Sequence, residues 1–204
     1  MRVISGSARG RRLFSPKNSL IRPTADRVKE SLFNILNSLI AGYDDCRALD
    51  IFAGTGNLGI EALSRGAANA VFIDSNKESV ALVIKNLRML GFADRGRVIE
   101  RDAISALRSL EKRELPFQLL FIDPPYRQGL AERVLEYLAA SNLIDERSMV
   151  IAEISSGELL PTAFDKLTEF DRRVYGDTAI VFFRRIPEEN PNYKSPIPNP
   201  EKTE

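Results

Sequence analysis

The sequence predicts an α/β fold in which a mostly parallel, seven-stranded sheet has helices on both faces and ends in an antiparallel hairpin. Two observations lead to this fold class. Between residues 48 and 154, short apolar segments alternate with segments whose apolar residues recur at helical spacing. Two segments rich in β-forming residues, 168–175 and 178–185, then flank the turn residues Gly176 and Asp177. This pair breaks the alternation, so the hairpin is expected at one edge of the sheet.

The individual elements follow from the spacing of apolar residues. A helix is predicted over 24–40, where apolar residues from Val28 to Leu39 recur at helical spacing. Further helices are predicted at 57–66, 76–90, 103–112 and 128–140. Strands are predicted at 48–52, 70–74, 97–100, 117–123 and 149–154. Functional residues are expected at the carboxyl ends of these strands, because ligands of open α/β sheets bind there.

Composition limits the available chemistry. The chain has 204 residues, which suits one domain with a tail, and 44% are hydrophobic, as in globular proteins. One cysteine, Cys46, and no histidine exclude an internal disulfide, the usual zinc clusters and a Ser-His-Asp triad. No metal site is therefore predicted. The sequence shows no secretory signal and no apolar run of about 20 residues, so a cytoplasmic protein is expected.

Basic residues are concentrated at the start of the chain. Residues 1–29 contain eight Lys or Arg against one acidic residue, whereas the remainder has a net negative charge. Arg suits phosphate, so residues 1–29 are predicted to be an RNA-binding segment, with a backbone made flexible by Gly6 and Gly10. Residues 30–186 are assigned to the main domain, and the Pro-rich residues 187–204 to a disordered tail. The candidate RNA contacts are Arg9, Arg11, Arg12, Arg22 and Arg27.

A glycine motif follows the first predicted strand. Residues 54–59 match G-x-G-x-x-G, open a helix and precede Asp74 at the end of the next strand. This pattern alone fits a nicotinamide dinucleotide nearly as well as S-adenosylmethionine. Asp50 favours S-adenosylmethionine, since a carboxylate in the strand would attract the methionine ammonium and repel a pyrophosphate. Asp102 offers an acceptor for an adenine amino group, although an aspartate there is also a common helix N-cap.

The segment Asp123-Pro124-Pro125-Tyr126 follows a strongly apolar strand and is predicted at the same edge of the sheet. Two prolines remove two backbone donors and fix the turn, so that carbonyl oxygens can face a ligand. Asp123 adds a carboxylate acceptor, and Tyr126 adds an aromatic face on which a base can stack. The set suits a planar base with an amino group, whose two N–H bonds would be accepted by the Asp123 carboxylate and the Pro124 carbonyl.

The chemistry of such a base indicates a mechanism. An aryl amine is a weak nucleophile because its lone pair is delocalised into the ring. Hydrogen bonds from both N–H groups to fixed acceptors return electron density to the nitrogen. Methyl transfer from a sulfonium cofactor then depends on positioning and electrostatics, without a metal or a covalent intermediate. The residues therefore predict methylation of an exocyclic amino group.

These motifs resemble the RsmD family of 16S ribosomal RNA guanine-N2 methyltransferases, which are class I, Rossmann-like and dependent on S-adenosylmethionine. The resemblance extends from Arg2 to about Arg185. The matching segments are Arg2–Gly6, Arg9–Arg12, Arg22–Glu30, Asp50–Gly56, Glu61–Ala67 and Asp123–Tyr126, of which Arg22–Glu30 is the narrowest signature. Three residues depart from the family's frequent choices: Asn57 for a small apolar residue, Asp74 for Glu and Lys29 for Arg.

The resemblance implies a role for each matching residue. The methionine end of the cofactor would lie at Asp50, Phe52, Ala53, Gly54, Thr55 and Gly56. Asp74 and Ser75 would hold the ribose, and Asp102 and Ala103 the adenine. The guanine would be held by Asp123, Pro124, Pro125 and Tyr126. The implied substrate is 16S ribosomal RNA in an assembling or assembled small subunit, bound by a monomer through its basic N-terminal part.

Four alternative functions remain at this point. DNA or RNA adenine-N6 and cytosine-N4 methyltransferases share the Asp-Pro-Pro-Tyr chemistry, but usually add a region that recognises base sequence. Enzymes that methylate a protein glutamine more often have Asn in place of Asp123. A nicotinamide-dependent oxidoreductase would use the glycine motif, but this chain has no evident proton donor for it. A non-catalytic RNA-binding protein would not need an intact Asp123–Tyr126 segment.

Overall fold

A computed structural model describes residues 1–16, 23–126 and 128–185, and in this part of the chain helices and strands alternate as predicted. The helices are α1 (Pro23–Leu39), α2 (Asn57–Ser64), α3 (Lys77–Leu90), α4 (Ala103–Leu110) and α5 (Leu130–Ala140). The strands are β1 (Arg47–Ile51), β2 (Asn69–Asp74), β3 (Gly96–Glu100), β4 (Leu119–Ile122), β5 (Met149–Ser155), β6 (Ala163–Phe164), β7 (Leu167–Tyr175) and β8 (Thr178–Arg185). Every predicted element is present, with ends within two residues of the prediction.

The strands form one sheet in the order β3-β2-β1-β4-β5-β8-β7-β6. The first five strands in this order are parallel, and β8 joins β5 in the antiparallel direction. The sheet of the described residues has eight strands, so the predicted number of seven was wrong by one. The additional strand, β6, is a two-residue strand paired with β7, which is too short to show an alternating pattern in the sequence.

Helices cover both faces of the sheet, which explains why the central strands are almost continuously apolar. On one face, α1, α2 and α3 pack on β1, β2 and β4, and the rings of Phe33 and Phe121 lie 5.7 Å apart. On the other face, α4 and α5 cover the opposite side chains of the same strands, among them Leu49 and Ile51. Both faces are closed, so the carboxyl ends of the parallel strands remain as the place for ligands.

The N-terminal segment, residues 1–16, is packed onto the domain. Arg2 and Arg12 form an antiparallel bridge, and Val3 and Leu13 are buried. The expectation that Gly6 makes this backbone flexible was wrong. Gly6 has a φ of +79°, and a Cβ atom there would lie 1.8 Å from the carbonyl oxygen of Ser64. Glycine at this position therefore permits a close backbone contact with the end of α2.

Two predictions concern residues outside the described part of the chain: the RNA contact of Arg22 and the disordered tail at 187–204. Among the described residues, no helix is both long enough and apolar enough to cross a membrane.

Candidate active site

The turn between β1 and α2, residues 52–56, forms what is called here the glycine loop. Phe52 has a φ of +67°, a strained value for a non-glycine residue of the kind that concentrates at functional sites. Gly56, with a φ of +78°, packs inward, since a Cβ atom there would lie 3.1 Å from the Ile60 side chain. At Gly54, with a φ of +56°, the nearest atom to a Cβ would be a backbone oxygen 4.0 Å away. A ligand can therefore approach the backbone at Gly54.

Asp74 connects the glycine loop to the end of β2. Its Oδ2 accepts a hydrogen bond from the Gly54 amide at 2.8 Å, and its Oδ1 accepts one from the Asn76 amide at 2.8 Å. The amide of Ala53 donates to the carbonyl of Ile73 at 2.9 Å. Ser75 follows Asp74 and is exposed. The structure thus brings together the residues predicted to bind the methionine and ribose parts of a cofactor.

Asp102 and Ala103 lie at the end of β3, the next strand of the sheet. Oδ1 of Asp102 accepts a hydrogen bond from the Ser105 amide at 3.0 Å, which makes Asp102 the N-cap of α4. The hydrogen bonds from Ser105 lower the pKa of this carboxyl. Asp102 is exposed, so capping leaves the carboxylate accessible to a ligand at this edge.

Asp50 lies beneath the glycine loop. Its side chain is only 2% exposed, and its Oδ2 accepts a hydrogen bond from the Gly59 amide in the first turn of α2 at 2.8 Å. Burial raises the pKa of Asp50 to about 7, while the Gly59 amide opposes this shift and the charge of Asp74 adds to it. Asp50 therefore holds the first turn of α2, and its predicted contact with the methionine ammonium stays a prediction.

Asp123 opens into a cavity of about 350 Å³, which is called here the Asp123 cavity. The Asp123 amide donates to the carbonyl of Ile51 at 3.3 Å, so the backbone of Asp123 lies beside the end of β1, where the glycine loop begins. No hydrogen-bond or ion-pair partner of this carboxylate occurs among residues 1–16, 23–126 and 128–185. Desolvation raises the pKa of Asp123 well above its usual range, and the charges of Glu153 and Asp50 raise it further.

Tyr126 forms one side of the Asp123 cavity. Its hydroxyl donates to Oε1 of Glu153 at 3.2 Å and lies 3.1 Å from the Thr178 hydroxyl. Burial raises the pKa of Tyr126 to about 12, so the hydroxyl keeps its proton at neutral pH. The residue is 40% exposed, which leaves aromatic surface for a planar ligand. Pro124 is buried and Pro125 is exposed in the same turn.

Sequence reasoning missed several residues of the Asp123 cavity. Glu153 comes from β5, and the β7–β8 hairpin contributes Tyr175 and Thr178. The available signal for Glu153 was a lone acidic residue in an otherwise apolar strand. Val28 and Leu32 of α1 also line the cavity, so a prediction that considered strand ends alone could not include them.

Lys29 is a buried residue next to the same cavity. Its ammonium donates to Oδ1 of Asn57 and to the carbonyl of Arg2, both at 2.7 Å, and lies 3.2 Å from Oε2 of Glu61. Burial lowers the pKa of Lys29, and the Glu61 carboxylate opposes that shift. Lys29 and Asn57, two of the departures from the family's frequent residues, therefore contact each other.

Asn86 links the N-terminal segment to the glycine loop. It is fully buried and donates hydrogen bonds to the carbonyls of Thr55, at 2.9 Å, and Phe14, at 3.1 Å. It also accepts one from the Phe14 amide at 2.8 Å. The hydroxyl of Thr55 in turn contacts the Met1 sulfur at 3.3 Å. The N-terminal segment and the glycine loop therefore form one packed unit.

The candidate RNA contacts Arg9, Arg11, Arg12 and Arg27 are exposed. Arg9 lies in a turn beside Ser64, at the end of α2 farthest from the glycine loop. A helix of eight residues is about 12 Å long, so Arg9 lies well away from the Asp123 cavity. Arg11 donates to the carbonyl of Met89 at 3.3 Å. Arg9 and Arg11 therefore lie near the ends of α2 and α3, and none of the four arginines lines the cavity.

Known proteins share this sequence and this architecture. The family described as Conserved hypothetical protein 95 matches residues 1–184. Ribosomal RNA small subunit methyltransferase D of Escherichia coli is 36% identical over 185 residues, which are 91% of this chain and 90% of that protein. The solved structure of Thermus thermophilus hypothetical protein TTHA0928 has a TM-score of 0.75 at 28% identity, covering 89% of this chain and 98% of that one.

A more distant solved structure, the ribosomal protein L11 methylase of Lactobacillus delbrueckii, has a TM-score of 0.61 at 17% identity and covers 76% of each chain. This likeness concerns the fold alone. The predicted methyltransferase fold and the predicted relationship to RsmD are therefore confirmed. The chain belongs to the Conserved hypothetical protein 95 family, the family of the ribosomal RNA small subunit methyltransferases D.

Proposed function

We propose that this chain transfers a methyl group from S-adenosylmethionine to the exocyclic N2 of a guanine in 16S ribosomal RNA. The main support is the position of Asp123. Its carboxylate opens into a cavity and has no partner among the described residues, and its backbone lies beside the start of the glycine loop through the contact of its amide with Ile51. An acceptor for an amino group and a loop for a cofactor thus meet at the ends of two adjacent strands, β1 and β4.

The residues at this edge fit S-adenosylmethionine. Four carboxylates, those of Asp50, Asp74, Asp102 and Asp123, lie at or near the carboxyl ends of β1, β2, β3 and β4. Carboxylates at this edge attract a positively charged cofactor and repel the negatively charged pyrophosphate of a nicotinamide dinucleotide. The open space at Gly54 allows close approach to the backbone. When bound, S-adenosylmethionine supplies an electrophilic methyl group on a positively charged sulfur.

The protein's own groups account for the remaining chemistry. The Asp123 carboxylate accepts one N–H of the guanine amino group, and the Pro124 carbonyl accepts the other. Tyr126 presents its ring to the base while its hydroxyl is held by Glu153 and Thr178. As the nitrogen gains a methyl group, it loses one proton, and Asp123 receives it. The raised pKa of Asp123 makes this carboxylate a better proton acceptor than an ordinary aspartate.

The substrate class is supported by the relatives and by charge. Escherichia coli and Haemophilus influenzae relatives are named ribosomal RNA small subunit methyltransferase D, with 36% and 35% identity. The exposed arginines of residues 9–12 form a basic surface suited to phosphates. We infer a small ribosomal subunit, assembling or assembled, as the partner, and the cytoplasm as the place of reaction.

A direct test is methyl transfer to small ribosomal subunits isolated from cells that lack this protein. Incubation with S-adenosylmethionine labelled in its methyl group should label one guanine, which nuclease digestion and mass spectrometry identify as N2-methylguanine. Asp123→Ala should lower the rate at least about 100-fold while S-adenosylmethionine still binds. Label on adenine or cytosine would favour the alternative amino-methyltransferases. Normal turnover by Asp123→Ala would refute the role of this carboxylate.

A further inference from the structure

Glu153 is a polar residue placed inside a mostly apolar strand. It belongs to β5, which pairs with β4 on one side and with β8 on the other, and it lies opposite Ile180 in the β8 register. Its side chain is half-buried and lines the Asp123 cavity together with Asp123 and Tyr126. The strand order therefore places a second carboxylate in the cavity, 30 residues after the first.

The contacts of Glu153 leave it capacity for a ligand. Within the described residues, its hydrogen-bonding partner is the Tyr126 hydroxyl, which donates to Oε1. A carboxylate has about four acceptor positions, so one such bond does not satisfy it. The Glu153 charge raises the pKa of Asp123, and burial raises the pKa of Glu153 itself. The two side chains form an electronegative pair that a ligand with two adjacent donors would stabilise.

Guanine has such a pair of donors. Its N1–H and its N2 amino group lie next to each other on the Watson–Crick edge and point in the same direction. Adenine presents the lone pair of N1 beside its amino group, and cytosine presents that of N3. A carboxylate facing either lone pair gains no hydrogen bond and is repelled. Two carboxylates side by side therefore favour guanine among the bases that have an exocyclic amino group.

We propose that Glu153 determines base specificity by accepting the N1–H of the target guanine while Asp123 accepts an N2–H. This inference rests on the proposed function, because it assigns a second contact to the same bound base. The Tyr126 hydroxyl bonds to Oε1 of Glu153 and leaves the other acceptor positions of the carboxylate for the base. A binding site built around a donor of the substrate discriminates strongly against analogues without it, so we expect a preference of at least about 100-fold.

A substrate analogue that lacks this donor is 2-aminopurine. It keeps the 2-amino group of guanine but has a lone pair in place of N1–H and a hydrogen in place of O6, so the N1–H contact is isolated by comparing the wild type with Glu153→Gln. Small subunits are reassembled on 16S ribosomal RNA ligated to contain either guanine or 2-aminopurine at the methylated position. The wild-type protein should methylate the guanine substrate with a kcat/KM at least about 100-fold higher. Glu153→Gln should lower this ratio at least about tenfold, because the glutamine amide can donate to the N1 lone pair.

Two variants separate direct recognition from an effect on Tyr126. Tyr126→Phe removes both hydrogen bonds of the Tyr126 hydroxyl, and Thr178→Val removes one of them. Each variant should lower turnover without changing the preference for guanine by more than about twofold. An unchanged preference in Glu153→Gln would overturn the inference. So would a loss of preference in Tyr126→Phe as large as that in Glu153→Gln, since Glu153 would then act through the tyrosine.

A binding measurement covers the case in which Glu153→Gln has no activity on either substrate. The fluorescence of 2-aminopurine reports its entry into the cavity, and competition with the guanine substrate gives the ratio of the two affinities. The same tenfold decrease is expected in that ratio, and its absence would overturn the inference. If the wild-type protein methylates no guanine in 16S ribosomal RNA, the proposed function itself fails, which is a different result from an unchanged ratio.

Discussion

The ammonium of Lys29 and the carboxylate of Glu61 form an ion pair of 3.2 Å that is almost completely buried. Glu61 also accepts hydrogen bonds from the amides of Ile4, at 2.8 Å, and Ser5, at 3.0 Å, and from Nε of Arg65 at 3.0 Å. One carboxylate thus holds the N-terminal segment, α1 and α2 together. The basic start of the chain is therefore part of the folded domain.

Lys29→Met should destabilise the protein. The substitution leaves the buried Glu61 charge without its lysine, and loss of one partner of a buried pair typically costs 3–5 kcal/mol. Because Glu61 keeps the Arg65 and backbone donors, we expect the lower end, about 3 kcal/mol, in the free energy of unfolding from urea denaturation. Arg173→Met, which breaks a half-exposed pair with Asp171, is the matched control and should cost less than about 1 kcal/mol. Equal losses in both variants would contradict this assignment.

Asp50 should make stability fall as pH rises. The unfolded carboxyl ionises near its usual pKa of 3.8, whereas the folded one ionises near 7. Between these values the folded protein holds a proton that the unfolded chain has released, so the free energy of unfolding decreases with pH, by up to about 1.4 kcal/mol per pH unit. The contribution is fully present below pH 4 and lost above pH 7.

Asp50→Asn removes this titration, while its amide oxygen can still accept from Gly59. Urea denaturation between pH 4 and pH 8 should therefore show a smaller slope for the variant and greater stability than the wild type at pH 8. Asp45→Asn changes an exposed carboxylate and should reproduce the wild-type slope. A slope in Asp50→Asn as steep as in the wild type would show that Asp50 is not its source.

Asp102→Asn separates capping from cofactor binding. Asparagine caps helices as well as aspartate does, so the free energy of unfolding should change by less than about 0.5 kcal/mol. If Asp102 binds the adenine amino group, loss of its charge should weaken S-adenosylmethionine binding about tenfold, measured by calorimetry. Asp102→Ala should lower both affinity and stability. Unchanged affinity in the asparagine variant would leave Asp102 with the capping role alone.

Arg11→Glu combined with Arg12→Glu should weaken binding to the small subunit. The binding should also depend less on salt, because fewer phosphate contacts form and fewer counterions are therefore released. Both arginines are exposed, and affinity for S-adenosylmethionine should not change. Lys112→Glu combined with Arg113→Glu is the control, since it makes the same change of charge just beyond α4, which covers the opposite face of the sheet. Equal weakening by both double variants would mean that net charge, rather than the N-terminal segment, attracts the RNA.

The helices and strands were predictable because their signals are local. Apolar spacing and the glycine and Asp-Pro-Pro-Tyr motifs place Gly54 and Asp123 at the ends of strands that a parallel sheet brings to one edge. The order of β1 and β4 as neighbours then makes them adjacent. These residues therefore meet through rules that apply to the whole class of fold.

Contacts between distant elements were not predictable in the same way. Glu153 belongs to the site because β5 pairs with β4, and Thr178 belongs to it because the β7–β8 hairpin brings it to Tyr126. From the sequence alone, Glu61 would be expected on the exposed face of a helix, yet the N-terminal segment and Lys29 bury it completely. A single sequence contains no local pattern for such pairings, since each depends on the path of the whole chain.

The position of β4 and β5 inside the sheet has a consequence for how the site behaves over time. Each is paired on both sides, so Asp123 and Glu153 extend from the backbone that opens least often to solvent. Amide protons of Phe121 and Ile151 should therefore exchange at rates close to those of global unfolding. The backbone positions that carry the two carboxylates are therefore set before any base arrives, and binding does not need to order them.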